Sequence, residues 1–371
     1  MKRLLWIFIA AVILSSCGQS EEVKKRLSAQ EKAELKKQDS LALKVAVMPT
    51  FDCLPIFVAK ERRMFDTLGV DVHLKLFTAQ MDCDTAYAGG SVEGGVSDLV
   101  RALRLRGRGT SLDFVSATDA HWQLITNRNA RLHEVKQLRD KMIAITRYSA
   151  TDMLADKAIE GTKLNKEEVY RPQINDVNIR IKMLQNNEMD AMLLEEPQSS
   201  IARAARNKVL MDTRDEDLRL GVLVFRSKDM KDSRRQQQLK TFLKAYNMAV
   251  DSLNQLGLKA YKDVIQKYYP LDNATLYGIC GIKIKKSALE KARERIEEAK
   301  RKAEEVRKAR IDKKDKKGGK GKNKISEDVK DKKETEVDIA YKYKFSRIAA
   351  PRQADVLRAE RWLKSKNIKT N

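Results

Sequence analysis

The chain has 371 residues, enough to bury one large core or two smaller ones, and a formal net charge of +23. Its histidines, His73, His121 and His133, have no metal-ligand spacing to a cysteine or to one another, which argues against a zinc site. So basic a balance in a cytosolic protein points to nucleic acid, and the compartment therefore has to be settled first.

The opening MKRLLWIFIAAVILSSCGQSEE has a short basic start and an apolar run from Leu4 to Leu14. The run is too short to span a bilayer and reads as a secretory signal. Leu14-Ser15-Ser16-Cys17 resembles the lipobox of bacterial lipoproteins. That implies removal of residues 1–16 and lipidation of Cys17. It also implies a monomer anchored at the cell envelope, facing the periplasm or the outside. An exported protein meets no chromosome, so the charge is read as solubility or attraction to anionic lipid, with no nucleic-acid partner. Residues 17–40 are polar, without a wide apolar face, and are expected to be a tether that is partly helical at best. Export also permits disulfides. Cys53, Cys83 and Cys280 allow one pair, with Cys53–Cys83 a candidate and three free thiols the alternative.

From Leu41 to Leu68 an alternating apolar run (Leu43, Val45, Val47) breaks at Met48-Pro49-Thr50. A helical pattern through Leu54, Phe57, Val58 and Phe65 follows it. Strand, polar loop and helix open an α/β sheet, and ligands of such sheets sit beyond the strand ends, here at Pro49, Thr50 and Asp52. A strand over 70–77, a short helix from Thr78, a Gly-rich strand ending at Asp98 and a basic helix from Leu99 come next. A strand over 112–116 leads to Thr118 and Asp119. A second βα series starts at Trp122. Its strands are expected over 142–147, 170–174, 189–194 and 209–211, and its helices over 150–159, 177–185 and 197–206. Gly221 to Phe225 reads as a strand returning to the first lobe, ahead of helices over 232–257 and 261–269. Residues 283–338 hold 22 Lys and Arg against 14 Asp and Glu with almost no apolar stripe, so they read as a charged insertion, helical and then disordered. A helix carrying Trp362, expected as a core anchor, closes the chain.

Several stretches resemble one family. MP…D.LP.FVAKE…MFD.LGVDV from Met48 to Val72, the segment up to Asp98, TRYSATDML from Thr146 to Leu154, and DAMLLEEP from Asp190 to Pro197 occur in the order found in bacterial solute-binding proteins. These are the periplasmic receptors of ABC importers of the sulfonate, nitrate and thiamine-precursor type. Arg62-Arg63-Met64 and Arg147-Tyr148 stand where that family carries glycine or small residues. The resemblance implies an α/β, two-lobed periplasmic-binding-protein type II (Venus-flytrap) fold with the charged insertion near its C-terminus. Lobe 1 would comprise 41–119, 221–282 and 339–371, and lobe 2 residues 120–220. It implies capture of a small molecule between the lobes and delivery to permease and ATPase subunits, with no cofactor, metal or catalysis.

The binding residues it implies are Pro49, Thr50, Asp52, Asp98, Thr118, Arg147, Ser149, Thr151 and Glu196. The Thr146–Ala150 turn is also a natural anion site in its own right, because a helix start presents free amides and a positive dipole end; plain capping by Ser149 is the alternative. At most one of Glu195 and Glu196 is expected to face the cleft, and Glu196, next to Pro197, is preferred. With Asp52, Asp82, Asp84 and Asp98, the cleft is expected to be acid-rich, favouring an aminated heterocycle such as an aminopyrimidine, or another cationic or nitrogenous solute. Two other classes remain open: an enzyme on the same fold, of pyrimidine-synthase type, and a surface scaffold acting through the insertion.

Overall fold

A computed structural model describes residues 29–281 and 343–370. The signal, Cys17 and the charged tract 283–338 lie outside the described residues. The chain begins with α1 (Ala29–Leu41) and passes into β1 (Leu43–Val47), a 3-10 turn over Phe51–Cys53, α2 (Leu54–Glu61) and α3 (Met64–Thr67). Next come β2 (Val72–Leu76), α4 (Gln80–Gly89), β3 (Gly94–Asp98), α5 (Leu99–Gly107) and β4 (Leu112–Ala117). The second half holds β5 (Gln123–Thr126), β6 (Ile143–Ala144), α6 (Ala150–Ile159), α7 (Val177–Gln185), β7 (Ala191–Leu194), α8 (Gln198–Ala204) and β8 (Lys208–Asp212). After β9 (Gly221–Arg226) come α9 (Ser233–Leu256), α10 (Lys262–Tyr268), α11 (Asn273–Ile279) and α12 (Gln353–Ser365).

The strands form two sheets, ordered β2-β1-β3-β9-β4 and β6-β7-β5-β8. Each sheet with its helices is a lobe. The chain crosses between lobes after β4 and again before β9, which returns antiparallel between β3 and β4. β1 is apolar and buried because it is central: it pairs in parallel with β2 on one side and β3 on the other. Gly94 and Gly95 allow β3 to lie this close. A Cβ at the first would strike the Phe225 ring, and one at the second the Ala46 carbonyl oxygen. Buried Leu54, Phe57 and Val58 of α2 form one continuous core with Phe242, Tyr246 and Val250 of α9.

Three expectations need correcting. Residues 170–174 are not a strand; they meet the 142–145 stretch only through bridges at Tyr170 and Gln173. Pro172 between them has no N–H to donate, so its carbonyl alone serves the ladder, accepting from Ile145 N at 3.1 Å. The end of the tether is docked rather than free. Arg235 of α9 donates to the Ser40, Leu41 and Ala42 carbonyls, and Asp39 pairs with Lys44 at 2.6 Å. Cys53, Cys83 and Cys280 are buried free thiols, so the candidate bridge does not form.

Candidate functional site

The loop after β1 brings Asp52 to the junction of the lobes. Its carboxylate accepts from Thr50 Oγ1 at 2.7 Å and from Thr118 Oγ1 at 3.1 Å, so three of the predicted residues form one cluster. Thr118 lies at the crossing, where its N–H donates to the Gly221 carbonyl and a side chain at position 221 would collide with its hydroxyl. Burial raises the pKa of Asp52. The same loop is stitched to the other lobe by backbone: Phe51 N donates to Glu196 O at 2.9 Å, and Gln198 Nε2 to Pro49 O at 3.0 Å.

Asp98 sits at the end of β3 and is 2% exposed. Its Oδ1 accepts the N–H of Arg101, capping α5, at 2.9 Å. The same oxygen accepts the N–H of Ala150, the first residue of α6 in the other lobe, at 3.0 Å. Oδ2 lies 3.8 Å from Arg101 Nη1 and has no hydrogen-bond partner. Burial raises this pKa, with the Arg101 guanidinium and the two amides opposing.

Asp52, Asp98 and Glu195 line one cavity, together with Gln80, Arg101 and Trp122. It is closed down to about 10 Å³, room for roughly one water. Asp52 and Glu195 also form the inner wall of a second hollow, at the mouth, of about 200 Å³. Phe51, His121, Arg214, Tyr343 and Phe345 supply the rest of its lining. Phe51 meets the rings of Tyr269 and Tyr343 edge-on at 4.9 and 5.1 Å, giving the mouth an aromatic floor.

Of the two neighbouring acids, both line the mouth, but Glu195 is the one that reaches the inner cavity. Glu196 turns to its own helix, where Arg203 holds it at 2.8 Å and Ser200 donates to it through Oγ at 2.6 Å. Burial first, then the nearby Asp52 carboxylate, pushes the Glu195 carboxyl up to about 8. The indole of Trp122, 2% exposed, faces Glu195 while its N–H makes no fully formed hydrogen bond. Ser149 and Thr151 are fully buried, and their work is local. Ser149 Oγ accepts from Thr151 N at 3.1 Å, and Thr151 Oγ1 from Thr146 N at 2.9 Å. The Arg147 side chain is exposed and outside the cavity. Asp84 is held by Arg101 at 2.5 Å and by Arg104, and Asp82 is exposed, so neither offers the cleft a free carboxylate.

A family model described as NMT1/THI5 like matches residues 50–255. That is more than half of the chain. The chain belongs to this family. Its likeness to solved structures covers about two thirds of the chain. The alkanesulfonate-binding protein SsuA from Xanthomonas axonopodis pv. citri, bound to MOPS, superposes with a TM-score of 0.57 at 15% identity over 66% of this chain and 84% of that one. The periplasmic nitrate-binding protein NrtA from Synechocystis PCC 6803 gives 0.56 at 13% identity, covering 64% and 69%. The Candida albicans CA3427 gene product, described as having the generic periplasmic binding protein fold, gives 0.51 at 14%, covering 63% and 78%. No curated protein matches the chain.

Within this NMT1/THI5-like frame, the sequence pattern passed over Gln80, Arg101, Trp122 and Arg180. Arg180 is buried and donates to the Ile174 carbonyl at 2.7 Å and to Thr146 Oγ1. Its burial, countered by Glu195, brings its pKa down to about 10. A long cation at the fourth residue of α7 gives no sequence signal, because an exposed arginine there would look the same. Trp122 had one: a lone aromatic just past the first crossing, where a chain entering a second lobe passes the cleft.

Proposed function

We propose that this protein is the solute-binding component of an ABC importer and that its solute carries a cation or several N–H donors. The observation carrying the reading is the convergence of Asp52, Glu195 and the unpartnered Asp98 Oδ2 on one cavity between two lobes. The arginines beside it are already engaged, Arg101 by Asp84 and Arg180 by carbonyl and hydroxyl oxygens. A ligand with N–H groups, such as an aminopyrimidine or another nitrogenous base, would satisfy carboxyls that the fold leaves short of donors. Trp122 offers it an indole N–H and an apolar wall, and the hinge is the pair of crossings at Thr118 and Gly221.

The names of the similar structures, binding proteins for alkanesulfonate and nitrate, support a receptor over a catalyst. The thiol of Cys53, next to Asp52, is pushed well up by burial and is a poor nucleophile. On the strength of the lipobox we place the protein at the cell envelope, anchored through Cys17, with a permease and an ATPase as its partners.

The test is thermal unfolding against aminopyrimidines, polyamines, amino acids, alkanesulfonates and nitrate. A ligand present at 100 times its Kd adds about 2.7 kcal/mol, a shift of several degrees. A selective shift with one nitrogenous compound supports the reading. A flat response to every nitrogenous compound overturns it.

A further inference from the structure

We infer that Asp98 is a built-in anion that occupies the place between two helix starts and thereby selects against anionic solutes. The inference concerns the same cleft and rests on its being a solute site. The helix starts belong to opposite lobes. α5 begins at Leu99 and α6 at Ala150, with nine and ten residues respectively. Each presents unbonded N–H groups and the positive end of its dipole, the arrangement that receives free anions. Here one carboxylate oxygen, Asp98 Oδ1, takes an N–H from each, at 2.9 and 3.0 Å.

Oδ2 is buried and unpartnered on a residue that lines the cavity, with the Arg101 guanidinium 3.8 Å away. A sulfonate, sulfate or nitrate approaching the two helix starts meets the Asp98 carboxylate already seated there, with Asp52 and Glu195 behind it. The residue is therefore a specificity determinant: it replaces an anionic ligand group with a covalently attached one. It also ties the lobes together without any ligand, since the bond from Ala150 N crosses from one lobe to the other while the bond from Arg101 N fixes Asp98 to its own.

The test needs no knowledge of the true solute. Unmodified protein, Asp98→Ser and Asp98→Asn are titrated separately with sulfate, methanesulfonate and nitrate, following unfolding temperature and intrinsic tryptophan fluorescence. Serine still caps α5 but leaves the place between the lobes vacant; asparagine fills it without the charge. The expected result is saturable anion binding by Asp98→Ser at least tenfold tighter than by the unmodified protein, and no such gain in Asp98→Asn. A folded Asp98→Ser that gains nothing overturns the inference. So does equal gain in Asp98→Asn, or saturable binding of any of these anions by the unmodified protein, a measurement that stands even where the serine variant does not fold. A protein that takes no nitrogenous ligand yet gains anion binding on Asp98→Ser would sink the proposed ligand class and leave this inference standing.

Discussion

Two buried carboxylate centres join the lobes, and they are built in opposite ways. At the back, Asp156 of α6 has a fully buried side chain surrounded by cations and donors. Arg171 lies at 2.5 Å, Lys366 at 3.0 Å and Lys166 at 3.2 Å, and Trp362 Nε1 of α12 donates at 2.8 Å. Although burial opposes it, these partners hold the Asp156 carboxyl down at about 2. At the front, Glu195 and Asp98 have fewer donors than acceptor sites, and Glu195 is pushed up to about 8. Both sites put carboxyl groups at the same interface. Saturation suits a structural role at the back, and shortage at the front is what the proposed solute site rests on.

Breaking the saturated centre has the largest expected effect. Asp156→Ala leaves Arg171 buried without its main partner and removes the Trp362 contact between lobes, costing about 3–5 kcal/mol. Calorimetry reads this directly, and a loss below about 1 kcal/mol would mean that the two centres do not differ in this way. The acid limb tests the same group: its folded pKa lies below the ordinary 3.8, so its contribution is present above about pH 4 and disappears as pH falls through about 2.

Glu195→Gln has a smaller effect of opposite sign. With the folded pKa raised from 4.5 to about 8, Glu195 contributes stability that is complete below 4.5 and is lost as pH rises through 8. The glutamine variant should therefore unfold at a higher temperature than the unmodified protein at pH 8–9, and show a flatter stability profile between 4.5 and 8. It should also lose affinity for a cationic solute, whose binding in the unmodified protein strengthens from pH 6 to 8 as the carboxyl releases its proton. Smaller still, Trp122→Phe deletes an unsatisfied buried donor, so folding should change by no more than about 1 kcal/mol while ligand affinity falls by more than folding does. Least of all, Arg147→Ala, exposed and outside the cavity, should stay within about 0.5 kcal/mol and leave binding unchanged. A clear loss of affinity there would move the site toward the α6 turn.

Much of the fold was legible because its signals are local. The β1–α2 unit shows in its switch from alternation to helical spacing, and α6 and α7 start where Ser149 and Asp176 cap them, as caps dictate. The failures are equally physical. Pro172 interrupts a run whose apolar pattern alone suits a strand. α11, capped by Asp272, buries only Thr275, Leu276 and Ile279, a single helical step of large apolar residues that leaves little periodicity to read. The site was less legible than the fold. Glu195 and Glu196 are neighbours of identical chemistry, and what separates them is Arg203 and Ser200 claiming one of the two. Asp98 was expected at the cleft through the resemblance alone, and its bond to Ala150, 52 positions away, leaves no mark in the sequence.

The stitches between Phe51 and Glu196 and between Gln198 and Pro49 set a clock as well as a shape. They lie beside the cavity, so if the proposed solute is held inside and leaves past them, it departs only after both are undone. Residence time is then governed by the frequency of that unzipping rather than by the size of the guest. Solutes of quite different affinity should share one ceiling on how fast they are handed over.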